Sequence, residues 1–219
     1  MTVPGTPPAT ASRPAADLAA LKQEIIRTVD SLRDEILATN RHLFDHPELS
    51  GQEYESAKFL AGRAEKYGFT VEHGIAGLPT AFRAVKETGA AGPMVAFLAE
   101  YDALPVVGHG CGHNMIGTAG TYAAIALGSV ADRLPGRVAL FGTPAEETDG
   151  GKITMLENGA FEGVSAALMM HPGLYTEIAY PSLACISIEI EYFGHPAHAA
   201  ASPWKGINAL DAMIQLFVG

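Results

Sequence analysis

The sequence predicts an α/β fold: a mixed, largely parallel sheet flanked by helices, followed by the start of a smaller α+β unit. Three observations carry that expectation. Apolar runs at Met94–Ala99, Arg137–Gly142 and Ser165–Met170 have the length and composition of strands covered on both faces. Helical segments alternate with them, as in layered α/β domains. After about Gly173 the texture changes, and Ser182–Phe193 alternates apolar and polar residues with period two, the pattern of a half-exposed antiparallel strand.

Taken in order, residues 1–15 form a Pro-, Thr- and Ala-rich stretch with neither a charged start nor an apolar core, so it reads as a disordered tail and not a secretory signal. From about Ala16 to Phe44, Leu18, Leu21, Ile25, Val29, Leu32 and Ile36 recur at helical spacing. A second helix is expected from Gln52 to Tyr67, with Ser50 and Glu53 as a capping box and Gly68 as its stop. Short strands follow at Phe69–Glu72 and Thr80–Val85. A helix is expected to open in the loop Gly108–Asn114 and run to Val130. Another spans Gly151–Asn158, and an amphipathic one spans Gly206–Val218. The catalytic-sized α/β unit therefore covers 16–178, and 179–219 begins the smaller one.

Hydrophobic residues make up 48% of the 219 and charged residues 17%, enough to bury a sizeable core. The net charge of −10 argues against nucleic acid or an anionic membrane as the main partner. No apolar run approaches the roughly 18 residues of a membrane span. Two cysteines, Cys111 and Cys185, make no disulfide framework, which suits a reducing, cytoplasmic setting.

Chemistry-bearing residues gather just after the buried runs. Glu100 and Asp102 follow the first, Glu146 and Glu147 the second, and His171 the third, while Cys111 and His113 lie in the loop GHGCGHN. Ligands in open α/β sheets bind outside the carboxyl ends of the strands, so these segments should converge. Taken singly, each has a plainer reading: Cys-x-His as an incidental loop, the paired glutamates as a solvated turn, His171 as a strand end. Together, thiolate, imidazole and carboxylate suit zinc or a similar divalent ion. The chemistry that needs them is metal-assisted hydrolysis, with one carboxylate on metal and a neighbour taking a proton from water. A dinucleotide loop is disfavoured because His113 stands where its third glycine would be.

The segments AEYDALP (Ala99–Pro105), GHGCGHN (Gly108–Asn114), GTPAEE (Gly142–Glu147), MMHP (Met169–Pro172) and GHPAHAAASPWKGINALDA (Gly194–Ala212) resemble metallopeptidase family twenty, the aminoacylase and carboxypeptidase-like di-metal amidohydrolases. Early PELSGQE (Pro47–Glu53) matches as well, so the likeness runs from residue 16 onward. Asn114, where many members have Asp, and the GGK at Gly150–Lys152 are similar to the aminobenzoyl-glutamate hydrolase and dipeptidase-like subgroup.

The resemblance implies two divalent metal ions, zinc foremost, with manganese or cobalt as alternatives. Cys111, His113, Glu147 and His171 would be ligands, Glu146 the general base, and Asp102 a supporting carboxylate behind the ligands. His198 would steady the oxyanion in a neighbouring subunit's site, which implies a homodimer through the smaller unit. His109 and His195 receive no role. The substrates implied are N-acyl amino acids, dipeptides or aminobenzoyl-glutamate-like amides. Family chains continue well beyond the point where this one stops, and they supply a last ligand. The alternative expectation is therefore a truncated, inactive remnant that binds metal or dimerises at most.

Overall fold

In a computed structural model, the structure describes residues 17–178, 183–186 and 188–219. The tail expected at 1–15 lies outside them. The chain divides into two compact units, Met1–Leu174 and Tyr175–Gly219.

The first unit is built on a five-stranded mixed sheet of order β2-β3-β6-β4-β7. Its strands are β2 (Thr70–His73), β3 (Phe82–Glu87), β4 (Met94–Ala99), β6 (Arg137–Gly142) and β7 (Val164–Leu168). The last three named are parallel, with Phe97 paired to Leu140 on one side and to Leu168 on the other. β3 runs antiparallel to β6, and β2 antiparallel to β3. A short parallel pair, β1 (Glu48–Leu49) with β5 (Asp102–Ala103), sits apart from it. The helices are α1 (Leu18–Ser31), α2 (Arg33–Asp45), α3 (Tyr54–Lys66), α4 (His113–Gly128) and α5 (Gly151–Glu157).

Alternation along the central strand explains the two layers. Val138 and Leu140 of β6 join a cluster with Leu43, Leu60, Phe69, Tyr122 and Ile125, under the helices α2, α3 and α4. Ala139 and Phe141 face the other way, toward Met94, Ala96 and Met155 of α5. Central strands buried on both faces read as unbroken apolar runs, which is why β4 and β6 stand out in the sequence. α4 lies very close to β4: a Cβ on Gly120 would stand 2.4 Å from the Leu98 carbonyl oxygen, and one on Gly117 2.7 Å from that of Glu100. Glycine at these two positions sets the depth at which the helix, and the His113 at its start, meets the sheet.

Several expectations are corrected. The helix read from Ala16 to Phe44 breaks at Leu32 (φ −95°, ψ 5°) into α1 and α2. The apolar stripe carries no signal of that break because both halves pack on the same core. Ser50 and Glu53 form no capping box. The Ser50 hydroxyl donates to Asp102, and Glu53 precedes α3 with its carboxylate turned inward. The third strand ends at Leu168, and Ser165–Met170 are exposed because β7 is an edge strand.

The second unit contains a single turn of 3-10 helix (Pro203–Lys205), a bridge between His195 and Ile207, and α6 (Ala209–Val218), capped by the Asn208 side chain. Residues 182 and 187 of the expected strand Ser182–Phe193 lie outside the described residues, and no strand forms among the others. Among the described residues, no helix is long and apolar enough to cross a membrane.

Candidate metal centre

The centre is assembled where β4, β6 and β7 end. His113 is the first residue of α4, reached through Gly112 in the left-handed region (φ +79°). Its imidazole is almost fully buried, at 1% exposure. Nδ1 lies 3.0 Å from Asp102 Oδ1. Asp102 is an acceptor at both oxygens: Oδ2 also takes the Ser50 hydroxyl at 2.7 Å and the Glu147 backbone N–H at 3.0 Å. Burial alone would push the Asp102 carboxyl up, but the donors His113, Ser50 and Glu147 hold it well below the usual carboxylate range. An ionised Asp102 can only accept, so Nδ1 of His113 carries the proton and donates it.

Nε2 of His113 is thereby turned toward a group of carboxylates. It stands 3.4 Å from Glu100 Oε2, 3.5 Å from Glu147 Oε1 and 3.8 Å from Glu146 Oε2. Both Nε2 and Glu100 Oε2 are buried without a hydrogen-bond partner among the described residues. Buried polar atoms are normally paired, so two orphans facing each other call for a bound group. Burial lowers the His113 pKa, but Asp102, Glu100 and Glu147 overcome it and raise it above its ordinary value. The surroundings thus favour positive charge at this point, as a cation site must.

His171 follows β7 and completes one side. Its Nδ1 donates to the Pro172 carbonyl at 2.8 Å, leaving Nε2 free, and its ring stands edge-on to that of His113 with centroids 6.3 Å apart. Pro172 packs against the His113 loop, where a Cβ on Gly112 would come within 2.8 Å of its Cγ. Glu100, His113 and His171 each offer an atom within 4.8 Å of the others, and so do His113, Glu146 and Glu147. Cys111 is exposed, and its thiol is pushed up to about 11. A hydrogen bond to Glu147 is the largest cause, followed by burial and the nearby carboxylates. A divalent ion replaces that thiol proton when a cysteine becomes its ligand.

Glu146 and Glu147 are presented by a strained turn. Ala145 has φ +54°, unusual for a residue with a Cβ, and its N–H donates to Glu53 Oε1 at 2.8 Å. Glu53 is fully buried and also receives the Gly51 N–H at 2.8 Å and the Thr80 hydroxyl at 2.9 Å. Burial, and then the charge of Glu100, raises the pKa of Glu146 above its ordinary value.

The structure thus brings Asp102, His113, Glu146, Glu147 and His171 to one place, whereas Cys111 lies beside Glu147 but belongs to neither ligand group. His198 belongs to the second unit, where its Nδ1 accepts the N–H groups of Ala200 and Ala201 at 3.2 and 3.0 Å. His109 is buried and belongs to neither ligand group. Sequence reasoning places Glu100 among the groups converging at the strand ends but gives it no ligand role, and it assigns no part in the centre to Glu53, Ser50 or Lys152. Lys152, on the first turn of α5, forms a close ion pair with Glu100. Only the fold reveals such partners, because 52 positions separate the two residues.

The model of peptidase family M20/M25/M40 matches residues 96–217. The chain is 41% identical to the Xaa-Arg dipeptidase of Mus musculus, over 91% of this chain and 49% of that protein. It is 36% identical to a p-aminobenzoyl-glutamate hydrolase polypeptide of Escherichia coli (strain K12), over 90% of this chain and 46% of that protein. The chain spans about half the length of these curated relatives. Among solved structures, a dinuclear metal binding peptidase of Bacillus subtilis matches with a TM-score of 0.60 and 30% identity, covering 66% of this chain and 44% of that one.

Proposed function

This chain belongs to peptidase family M20/M25/M40, and from that premise we propose that it serves a metal-dependent hydrolase of amide or peptide bonds. The substrate class we assign is N-acyl amino acids, dipeptides or aminobenzoyl-glutamate-like amides. The names of the mouse dipeptidase and the E. coli hydrolase support that class. The observation that carries the reading is the orphaned Nε2 of His113, held toward three carboxylates by the Asp102 contact at Nδ1.

The residues present fit a divalent ion: imidazole nitrogens and carboxylate oxygens converge, and the Cys111 thiol lies beside Glu147. His113, His171, Glu147 and Cys111 would hold it, and a second ion is proposed beside it, with zinc favoured over manganese or cobalt. When bound, the metal supplies an activated water and a polarised substrate carbonyl. Asp102 fixes the tautomer and direction of His113. Glu146 is the proton carrier: it is 42% exposed and so open to substrate. Its raised pKa brings it nearer the working pH, which suits an acid/base group. Glu53 anchors the backbone immediately before it.

His198 is proposed as an oxyanion donor to the site of a second copy. Its Nδ1 already accepts two backbone N–H groups, so a neutral ring carries its proton on Nε2, as a donor. A homodimer and a cytoplasmic location complete the reading, the latter supported by the free thiols of Cys111 and Cys185.

Metal analysis of the purified chain, beside turnover of a panel of N-acyl amino acids and dipeptides, tests this. Glu146→Gln should retain metal and lose hydrolysis, whereas Cys111→Ala should lose metal. Absence of bound zinc, manganese and cobalt from the unmodified chain would overturn the metal reading. Metal binding without turnover of any substrate would leave the second reading, a chain that binds metal and does no more.

A further inference from the structure

The ligand set implied by the resemblance omits Glu100, and the geometry points to its inclusion. We infer that Glu100 is a direct metal ligand of this centre, held to a single coordinating oxygen by Lys152; this rests on the metal reading given above.

Glu100 follows β4 directly and is buried, with 2% of its side chain exposed. Its two oxygens have different surroundings. Oε1 is taken by the Lys152 ammonium, which arrives on α5 from the opposite side. Among the described residues, Oε2 has no hydrogen-bond partner, and neither does the His113 Nε2 facing it at 3.4 Å. Two ligands bound tetrahedrally to one zinc ion at about 2.0–2.2 Å stand roughly 3.3–3.5 Å apart. The separation fits two ligands sharing an ion, and His171 offers a third atom to the same group.

Lys152 has a defined part in this arrangement. A free carboxylate can bind metal through both oxygens, whereas one whose second oxygen is neutralised by an ammonium binds through one. Lysine suits that task as a compact point charge. Its positive charge also limits the excess of carboxylates around His113, where Glu100, Asp102, Glu146 and Glu147 all gather. Lys152 is therefore a positioning residue, acting on the metal only through Glu100.

The competing account makes Glu100 a structural partner of Lys152 and nothing more. The two accounts separate in the double variant Glu100→Gln with Lys152→Met, which removes both members of the buried ion pair. Replacing such a pair by neutral groups is often harmless to stability, so this variant should fold. Zinc affinity of the 219-residue chain would be measured by competition with a chromophoric chelator, and the ligand set by the visible spectrum of the cobalt(II) form. We expect the double variant and Glu100→Gln alone to lose about 100-fold in zinc affinity, at the upper edge of what an outer partner supplies. The cobalt bands should change in position or intensity in both. A double variant with the cobalt spectrum of the unmodified chain would overturn Glu100 as a ligand, whatever its affinity. Failure of the unmodified chain to bind either metal would overturn the metal reading, and this inference with it.

Discussion

Asp102→Asn tests how the centre is oriented, because it changes one atom in a position where every contact is defined. The carboxylate accepts from His113 Nδ1 through Oδ1 and from both Ser50 and the Glu147 N–H through Oδ2. An asparagine can satisfy these groups in two ways. With its oxygen toward His113, its NH2 faces the Glu147 N–H. Two donors then oppose each other, and a part-buried N–H loses its partner, which costs about 1–3 kcal/mol. With its oxygen toward Ser50 and Glu147, the NH2 instead donates to His113 Nδ1. The ring must then move its proton to Nε2, the atom that faces Glu100, Glu146 and Glu147.

The second arrangement leaves no unpaired donor at Asp102, so the metal-free fold should adopt it. Stability should fall by no more than about 1–2 kcal/mol, within the range of a net hydrogen-bond change. Metal affinity should fall by about 10–100-fold, because a protonated Nε2 cannot coordinate until it is turned back. Urea unfolding of the metal-free chain and chelator competition with zinc measure the two quantities separately. A variant with unchanged zinc affinity would refute the role given to Asp102. So would a loss of zinc binding that merely follows global unfolding.

Other outcomes follow from the packing and from charge. Gly120→Ala gains about 1 kcal/mol of helix propensity, but its Cβ would stand 2.4 Å from the Leu98 carbonyl oxygen. Overpacking of about 1–3 kcal/mol or more should win, and the urea midpoint should fall; a raised midpoint would show that α4 can slide on β4. Glu35 links α2 to α3 and α4 by accepting from Lys66, Tyr67 and Tyr122 at 2.7, 2.9 and 3.0 Å. Burial pushes its carboxyl up, but these donors prevail and hold it below the ordinary value of 4.5. A depressed folded pKa gives stability that is present above the unfolded value and lost as pH falls through the folded one. Glu35→Gln should therefore destabilise the chain by roughly 1.5–3 kcal/mol at pH 7, with the difference shrinking below about pH 4.5. An equal difference at pH 7 and pH 3 would show that the charge contributes nothing.

What could be read from the sequence, and what could not, follows from the range over which each interaction acts. β4 and β6 were legible because burial on both faces leaves an unbroken apolar run. Glu100, Glu146, Glu147 and His171 were legible as chemistry placed just after such runs, and His113 as part of the loop GHGCGHN. The break at Leu32 was not, since the apolar stripe passes through it unaltered. The exposure of β7 was not either, since an edge strand and a central strand can carry the same residues. Least legible were the groups that aim the ligands. Ser50 and Glu53 have the spacing of a capping box, and local chemistry favours that use. The fold instead sends the Ser50 hydroxyl to Asp102 and turns the Glu53 carboxylate to Thr80 and Ala145, across 52, 27 and 92 positions.

That substitution of partners explains how side chains at an open strand edge can still be held in a set direction. Residues at strand ends lack the dense packing that fixes the core, so the candidate ligands need other restraints, and His113, His171 and the turn that carries Glu146 and Glu147 each have one. Asp102 fixes His113 at Nδ1. Glu53 secures the N–H of Ala145 in a left-handed turn, so the glutamates that follow leave the strand in a set direction. Gly112 allows the Pro172 ring to lie against the loop, and the Pro172 carbonyl receives the Nδ1 proton of His171. None of the three restraints uses the atom that would face the metal. His113 Nε2 and Glu100 Oε2 remain buried and unpaired, a state that proteins tolerate where a bound group supplies the missing partner. The donors are held in place before any ion arrives, so binding need not order them, and preorganisation of this kind strengthens a site without adding contacts.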